Sequence, residues 1–285
     1  MISQERIDQY IKDGHLGVKI IADSISENGK RLTTFQLKYW RAIHAELLTH
    51  RVFSRNASSS RAIPVAKMID QVRLNPAKPI HWGQNQAGMQ AKNELNSKER
   101  GMVGIYWIKS AQQAASNAER MAELGAHKQI VNRILEPFQH INVILTATEF
   151  DNFFELRIHE DAQPEIYALA LTMRQAMEKS EPQLLKAGEW HLPYITNQER
   201  VAMDYAVLCK ISAARCCRVS YLKHDKTEPS IEDDLALFER LVGSEPLHAS
   251  PLEHQATLHM VGSVFYQSNL NGWKQYRKIY EENLK

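Results

Sequence analysis

The spacing of hydrophobic and polar positions changes several times along the chain, and each change marks an expected element. Residues 17–26 (GVKIIADSIS) read as a strand, and Glu27-Asn28-Gly29-Lys30 supplies the Asn-Gly signal of a tight hairpin. The partner strand is Arg31 to Tyr39, rich in Thr, Phe, Leu and Tyr. From Trp40 to His50 the period becomes helical, with Ile43, Leu47 and Leu48 on one face. Residues 75–96 carry Pro, Gly, Asn and Gln without a period and read as an irregular loop, inside a longer irregular insertion over 62–104. Helical spacing returns from Ile105 to Leu124, stops at Gly125, and resumes from Lys128 to Leu135. Residues 141–156 fit a strand or a helix, and the pattern alone does not separate the two. Pro164 suits the first turn of a helix through PEIYALALTMRQAM. Further helices are expected over 198–214 and 231–241, before a tail, NGWKQYRKIYEENLK, that reads as a packed terminal helix or an interface helix. No repeat, low-complexity tract or linker divides the chain. The expected architecture is α+β, a single domain with a small antiparallel sheet and several long helices.

Composition narrows the function classes. With 285 residues, 44% of them apolar and 24% charged, the chain can bury a sizeable core. A formal net charge of +2 gives no global attraction to nucleic acid or to a membrane surface, so any anion site must be local. No run approaches the ~20 apolar residues of a membrane span, and the charged start MISQERIDQYIKDG lacks a secretory core, so a cytoplasmic protein is expected. Cys209, Cys216 and Cys217 show no metal-ligand spacing and read as buried small hydrophobes, with no metal site expected.

The stretch from His50 to Arg61 is dense in anion-binding chemistry: Arg51, Arg55 and Arg61, one histidine, Asn56, and the hydroxyls of Ser54, Ser58, Ser59 and Ser60. Arginine meets phosphate oxygens bidentately and hydroxyls fill the gaps between, so a donor-rich loop after a helix suits a phosphate. On composition alone the same stretch is a solvated Ser/Arg loop. The spacing in THRVFSRNASSSRA resembles the signature RHRxxSxNExSxR of the flavin-dependent thymidylate synthases, with His50, Arg51, Ser54, Asn56, Ser59 and Arg61 in register. Thr49 stands at the first arginine and Ala57 at the glutamate of that signature.

Other segments agree. VNRILEP (131–137) resembles the family's ARxxLP stretch, NFFELR (152–157) its NFLxLR helix, and DAQPEI (161–166) its HAQxEI. RVSY (218–221) resembles ARVSF, and HASPLEH (248–254) resembles HxTPFEH. Those last two precede the arginine-rich motif in the usual family order and follow it here. The resemblance therefore implies a permutation-like arrangement, with a helical block moved to residues 200–254.

The resemblance implies FAD as cofactor, NADPH and methylenetetrahydrofolate as co-substrates, and methylation of dUMP at C5. Arg157 would act on the pyrimidine and favour its N3-deprotonated form. Arg133, Arg61, Ser59 and the neighbouring Ser58 and Ser60 would hold the phosphate, with Glu46, at a family glutamine position, beside the nucleotide. His50, Arg51, Asn56, Asn152, Ser220, His248 and Ser250 would face the flavin. Family sites form between subunits of a homotetramer, so a homo-oligomer is implied. Thr49, Ala57 and Thr146-Ala147-Thr148, the last at a flavin contact, depart from the pattern. A missing carboxylate leaves open dCMP or hydroxymethylation, whereas retention of Arg157 favours a uracil base. A nucleotide-binding protein without flavin chemistry is the reading from another class.

Overall fold

A short amphipathic helix, α1 (Gln4–Lys12), capped by Ser3, leads into the hairpin of β1 (Gly17–Ser26) and β2 (Arg31–Trp40). Gly29 closes the turn at φ +74°, a conformation that glycine adopts without steric cost. The computed structural model describes residues 2–219, 229–243, 245, 247–258 and 268–284.

The helix expected over 40–50 is shorter than its period suggests: one 3-10 turn, then α2 (His44–Leu48). The Thr49 hydroxyl donates to the Glu46 carbonyl at 2.7 Å, a side-chain bond that competes with further helix. β3 (Ser54–Ala57) follows. The insertion over 62–104 is irregular only in part. It contains α3 (Val65–Leu74), and α4 (Ser97–Glu123) starts well before the expected Ile105 because Asn96 and Glu99 form a reciprocal capping box. Gly125, at φ +86°, ends that region, and α5 (Lys128–Val131) passes into a 3-10 stretch to Phe138.

The ambiguous span resolves into both alternatives, β4 (His140–Ala147) and then α6 (Asp151–Arg157). Pro164 opens α7 (Pro164–Lys179) as expected. β5 (Gln183–Leu185) and β6 (Trp190–His191) follow. The helix expected over 198–214 is two: α8 (Asn197–Ala202), capped by the Thr196 side chain, and α9 (Tyr205–Cys217), preceded by extended backbone at Asp204. Then come α10 (Ile231–Val242), β7 (Ala256–Leu258), β8 (Trp273–Gln275) and α11 (Tyr276–Asn283).

The main sheet has order β3-β4-β2-β1-β5. It is antiparallel except for β5, which returns from α7 to pair parallel with β1. A second sheet, β6-β7-β8, was not visible as a pattern, since strands of two or three residues carry no period. The architecture is α+β.

Both faces of the main sheet are covered. Phe35, Leu37, Val143 and Leu145 pack with α1 and α7 in one core. Thr34, Thr146 and Ser54, paired side by side across β2, β4 and β3, point to the other face, where the C-terminal segment lies. A chain of hydrogen bonds crosses that joint: Ser24 Oγ to His191 Nδ1 (2.9 Å), His191 Nε2 to Thr34 Oγ1 (2.8 Å), Thr34 to Thr146 Oγ1 (2.7 Å), and Thr146 to His254 Nδ1 (2.9 Å). With the proton on Nδ1 of both rings, the four bonds run in one direction. Both imidazoles are fully buried, and burial holds each down at about 3.

The tail packs on its own chain, with Trp273 fully buried and Tyr276 against α9 and α10. Cys209, Cys216 and Cys217 are buried in α9 as expected. Burial pushes the Cys217 thiol up to about 12, leaving too little thiolate for nucleophilic work.

Candidate active site

α2 and α6 bring the expected base-contacting residues together. Arg157, the last residue of α6, donates from Nε to His50 Nε2 at 3.0 Å and from NH1 to Glu46 Oε2 at 3.0 Å. As acceptor at Nε2, His50 is neutral, with its proton on Nδ1. Burial first, then the Arg157 and Arg55 cations, lower its pKa, consistent with that state. Its ring stacks on Phe53 and meets Phe153 edge-on at 4.9 Å, so the aromatic core of α6 fixes the imidazole that in turn fixes the guanidinium.

Glu46 and Arg157 line a cavity of about 930 Å³. Its opposite wall comes from the irregular loop of 75–96. Arg6 of α1 clamps that loop through a bidentate pair with Glu94 (2.7 and 2.8 Å), which holds the Glu94 carboxyl at about 2. Gln90 closes the far side by donating to the Asp161 carbonyl. Trp40, His81, Gln163 and Glu165 also line the cavity and had no assigned role. Glu165 and Gln163 were legible as members of DAQPEI, but no sequence signal marks His81. Glu165 is buried, with Oε1 taking the Ile80 N–H and Oε2 the Gln163 amide; burial raises its pKa.

The expected phosphate group forms a second cluster. Ser60 Oγ, Arg133 NH1 and Arg41 NH2 all reach Glu136 Oε1, at 3.2, 2.7 and 3.2 Å. Ser58 exchanges hydrogen bonds with the Asn142 backbone, and Ser59 Oγ accepts from Arg61 N while the Arg61 side chain stays exposed. None of Ser58, Ser59, Ser60, Arg61 or Arg133 lines the cavity beside Arg157.

Of the expected flavin contacts, Arg51, Asn152 and His248 are exposed, and Ser250 begins a 3-10 turn. Asn56 donates its amide to the Cys216 carbonyl. Ser220 lies outside the described residues. Thr148 accepts from the Asn271 N–H, so the segment before β8 covers the Thr146-Ala147-Thr148 position.

The family model for the thymidylate synthase complementing proteins matches residues 4–183. The chain belongs to that family. The bounds of the family match enclose 62–104 and end before the block over 200–254. Among solved structures, the UMP/dUMP methylase PolB from Streptomyces cacaoi bound with 5-Br UMP is similar at 15% identity, covering 57% of this chain and 89% of its own, with a TM-score of 0.48. The flavin-dependent thymidylate synthase ThyX from Helicobacter pylori complexed with FAD and dUMP gives 15% identity, 51% and 67% coverage, and a TM-score of 0.35. No curated protein matches the chain. Among the described residues no helix is long and apolar enough to cross a membrane.

Proposed function

We propose that this family member is a flavin-dependent transferase that methylates a pyrimidine nucleotide at C5, the thymidylate synthase type of reaction. Methylenetetrahydrofolate is the carbon donor and NADPH the reductant in this reading. The observation that carries it is the placement of Arg157: a guanidinium oriented by His50 and Glu46 at the wall of a cavity large enough for a nucleotide. A cation fixed there stabilises negative charge on the pyrimidine carbonyls, the polarisation that C5 chemistry needs.

FAD would be held by the Arg51 cation and the Asn152 amide, both exposed, with the His50 ring beside Arg157. Bound there, the flavin would supply the hydride chemistry. Arg157 and Glu46 would position the base, and Arg61, Arg133 and Ser59 the phosphate. The separation of those two groups in one chain supports a homo-oligomer, tetrameric by resemblance, in which one subunit's phosphate donors face another's base pocket. The contacts Asn56 to Cys216 and Thr146 to His254 support reading residues 200–254 as a relocated part of the same core.

The test is the visible absorption spectrum of the purified protein before and after FAD and nucleotide. A bound-flavin spectrum that shifts with nucleotide is expected. No flavin spectrum at saturating FAD would leave a nucleotide-binding protein without flavin chemistry.

A further inference from the structure

Glu46 and Arg157 present a mixed edge to the cavity. Arg157 commits Nε to His50 and one NH1 hydrogen to Glu46 Oε2, while NH2 lies 3.5 Å from Thr49 Oγ1, at the limit of a hydrogen bond. Among the described residues Glu46 Oε1 has no hydrogen-bond partner, and the side chain keeps a third of its surface open. The other buried or half-buried carboxylates of the wall are already satisfied. Glu94 holds Arg6 and the Trp82 N–H, and Glu165 holds the Ile80 N–H and Gln163. Glu46 is the acidic side chain of α2 that is left to read a ligand.

A carboxylate only accepts and a guanidinium only donates. Across the pair, the wall therefore reads acceptor, donor, donor. The Watson–Crick edge of cytosine is the complement in that order: the N4 amino donor, then the N3 and O2 acceptors. Uracil offers acceptor, donor, acceptor. In the same register its O4 would face the Glu46 carboxylate and its N3–H the Arg157 guanidinium. By sliding one position, uracil can place N3–H on Glu46 and O2 on Arg157, which makes two contacts in place of three.

We propose that the base pocket reads cytosine, that the substrate is a cytidine monophosphate, ribo or deoxy, and that Glu46 is the residue that sets this choice. The inference rests on the cavity being the nucleotide site proposed above. It revises the preference for uracil drawn from Arg157 alone, because the arginine does not act alone: its NH1 is shared with a carboxylate that no uracil oxygen can approach favourably.

The experiment is calorimetric titration of the full-length protein with dCMP and with dUMP, for the unaltered chain, Glu46→Gln and Arg157→Ala. The unaltered protein should bind dCMP about tenfold or more tighter than dUMP, the value of one further bond to a charged group. Glu46→Gln, whose amide can donate to O4, should invert the order. Equal or tighter binding of dUMP by the unaltered protein, or a ratio that Glu46→Gln leaves unchanged, overturns the proposal while leaving the site intact. If Arg157→Ala binds both nucleotides as well as the unaltered protein, or if the unaltered protein binds neither, the site assignment itself falls and the base preference with it.

Discussion

Asn56 donates its side-chain amide to the carbonyl of Cys216 at 2.9 Å, across 160 residues of sequence. The bond ties β3, inside the arginine-rich motif, to the end of α9. Asn56→Asp would set a carboxylate against that carbonyl, with no donor left between them. A loss of about 1–3 kcal/mol in unfolding free energy is expected, read as the urea midpoint at constant slope. A midpoint unchanged within error would mean that the contact does not anchor the block.

Stability should fall in mild acid. Burial holds His191 and His254 at about 3 in the folded chain, against about 6.5 unfolded. Between those values the unfolded state binds protons that the folded state refuses, so stability is complete above about pH 6.5 and drains as pH falls toward 3. The slope approaches about 1.4 kcal/mol per pH unit for each such ring. Denaturation midpoints at pH 7.5, 6.0 and 5.0 measure it. His254→Leu removes one ring and should flatten the slope; an identical slope would assign the pH dependence to other groups.

The sequence carried the elements whose signal is local. The β1–β2 hairpin follows from Asn28-Gly29, and α7 follows from Pro164 and its apolar face. β4 was ambiguous because Val143 and Leu145 face one core while Ile144 faces the other side of the sheet, so burial on both faces erases the alternation that marks a strand. The helix over 198–214 was read as one because the extended backbone at Asp204 that separates its two parts carries no Gly or Pro signal. At the site, motif spacing named Arg157, His50 and Glu46 individually. Their assembly, with Glu46 and Arg157 111 residues apart, belongs to long-range side-chain contacts that no local pattern encodes, and the loop that walls the cavity has no period at all.

Asp234 is fully buried and takes both Arg215 (2.8 Å) and Arg218 (2.8 and 2.5 Å), while Arg215 also reaches Glu199 at 2.6 Å. Asp234→Ala would leave two half-buried guanidiniums without their shared anion. The expected destabilisation is about 3 kcal/mol, visible as a lowered thermal midpoint. A shift of less than a degree would show that water replaces the carboxylate freely.

Gly83 stands against Ala91, and a methyl group added there would overlap the Ala91 side chain. Gly83→Ala must therefore displace the wall of the cavity between His81 and Gln90, while Arg6 still holds Glu94. Weaker nucleotide binding with a thermal midpoint near that of the unaltered protein is expected. Unchanged affinity would show that this wall does not touch the ligand.

The hydroxyl and imidazole chain from Ser24 to His254 bears on where this protein can be cut. The span recognised as family ends at residue 183, yet Thr34 and Thr146 within it find their partners in His191 and His254 beyond it. A truncated chain ending at 183 would turn a buried row of hydroxyls into an open sheet surface. The boundary of kinship and the reach of the packed core are different places in this molecule, and the second extends at least to His254.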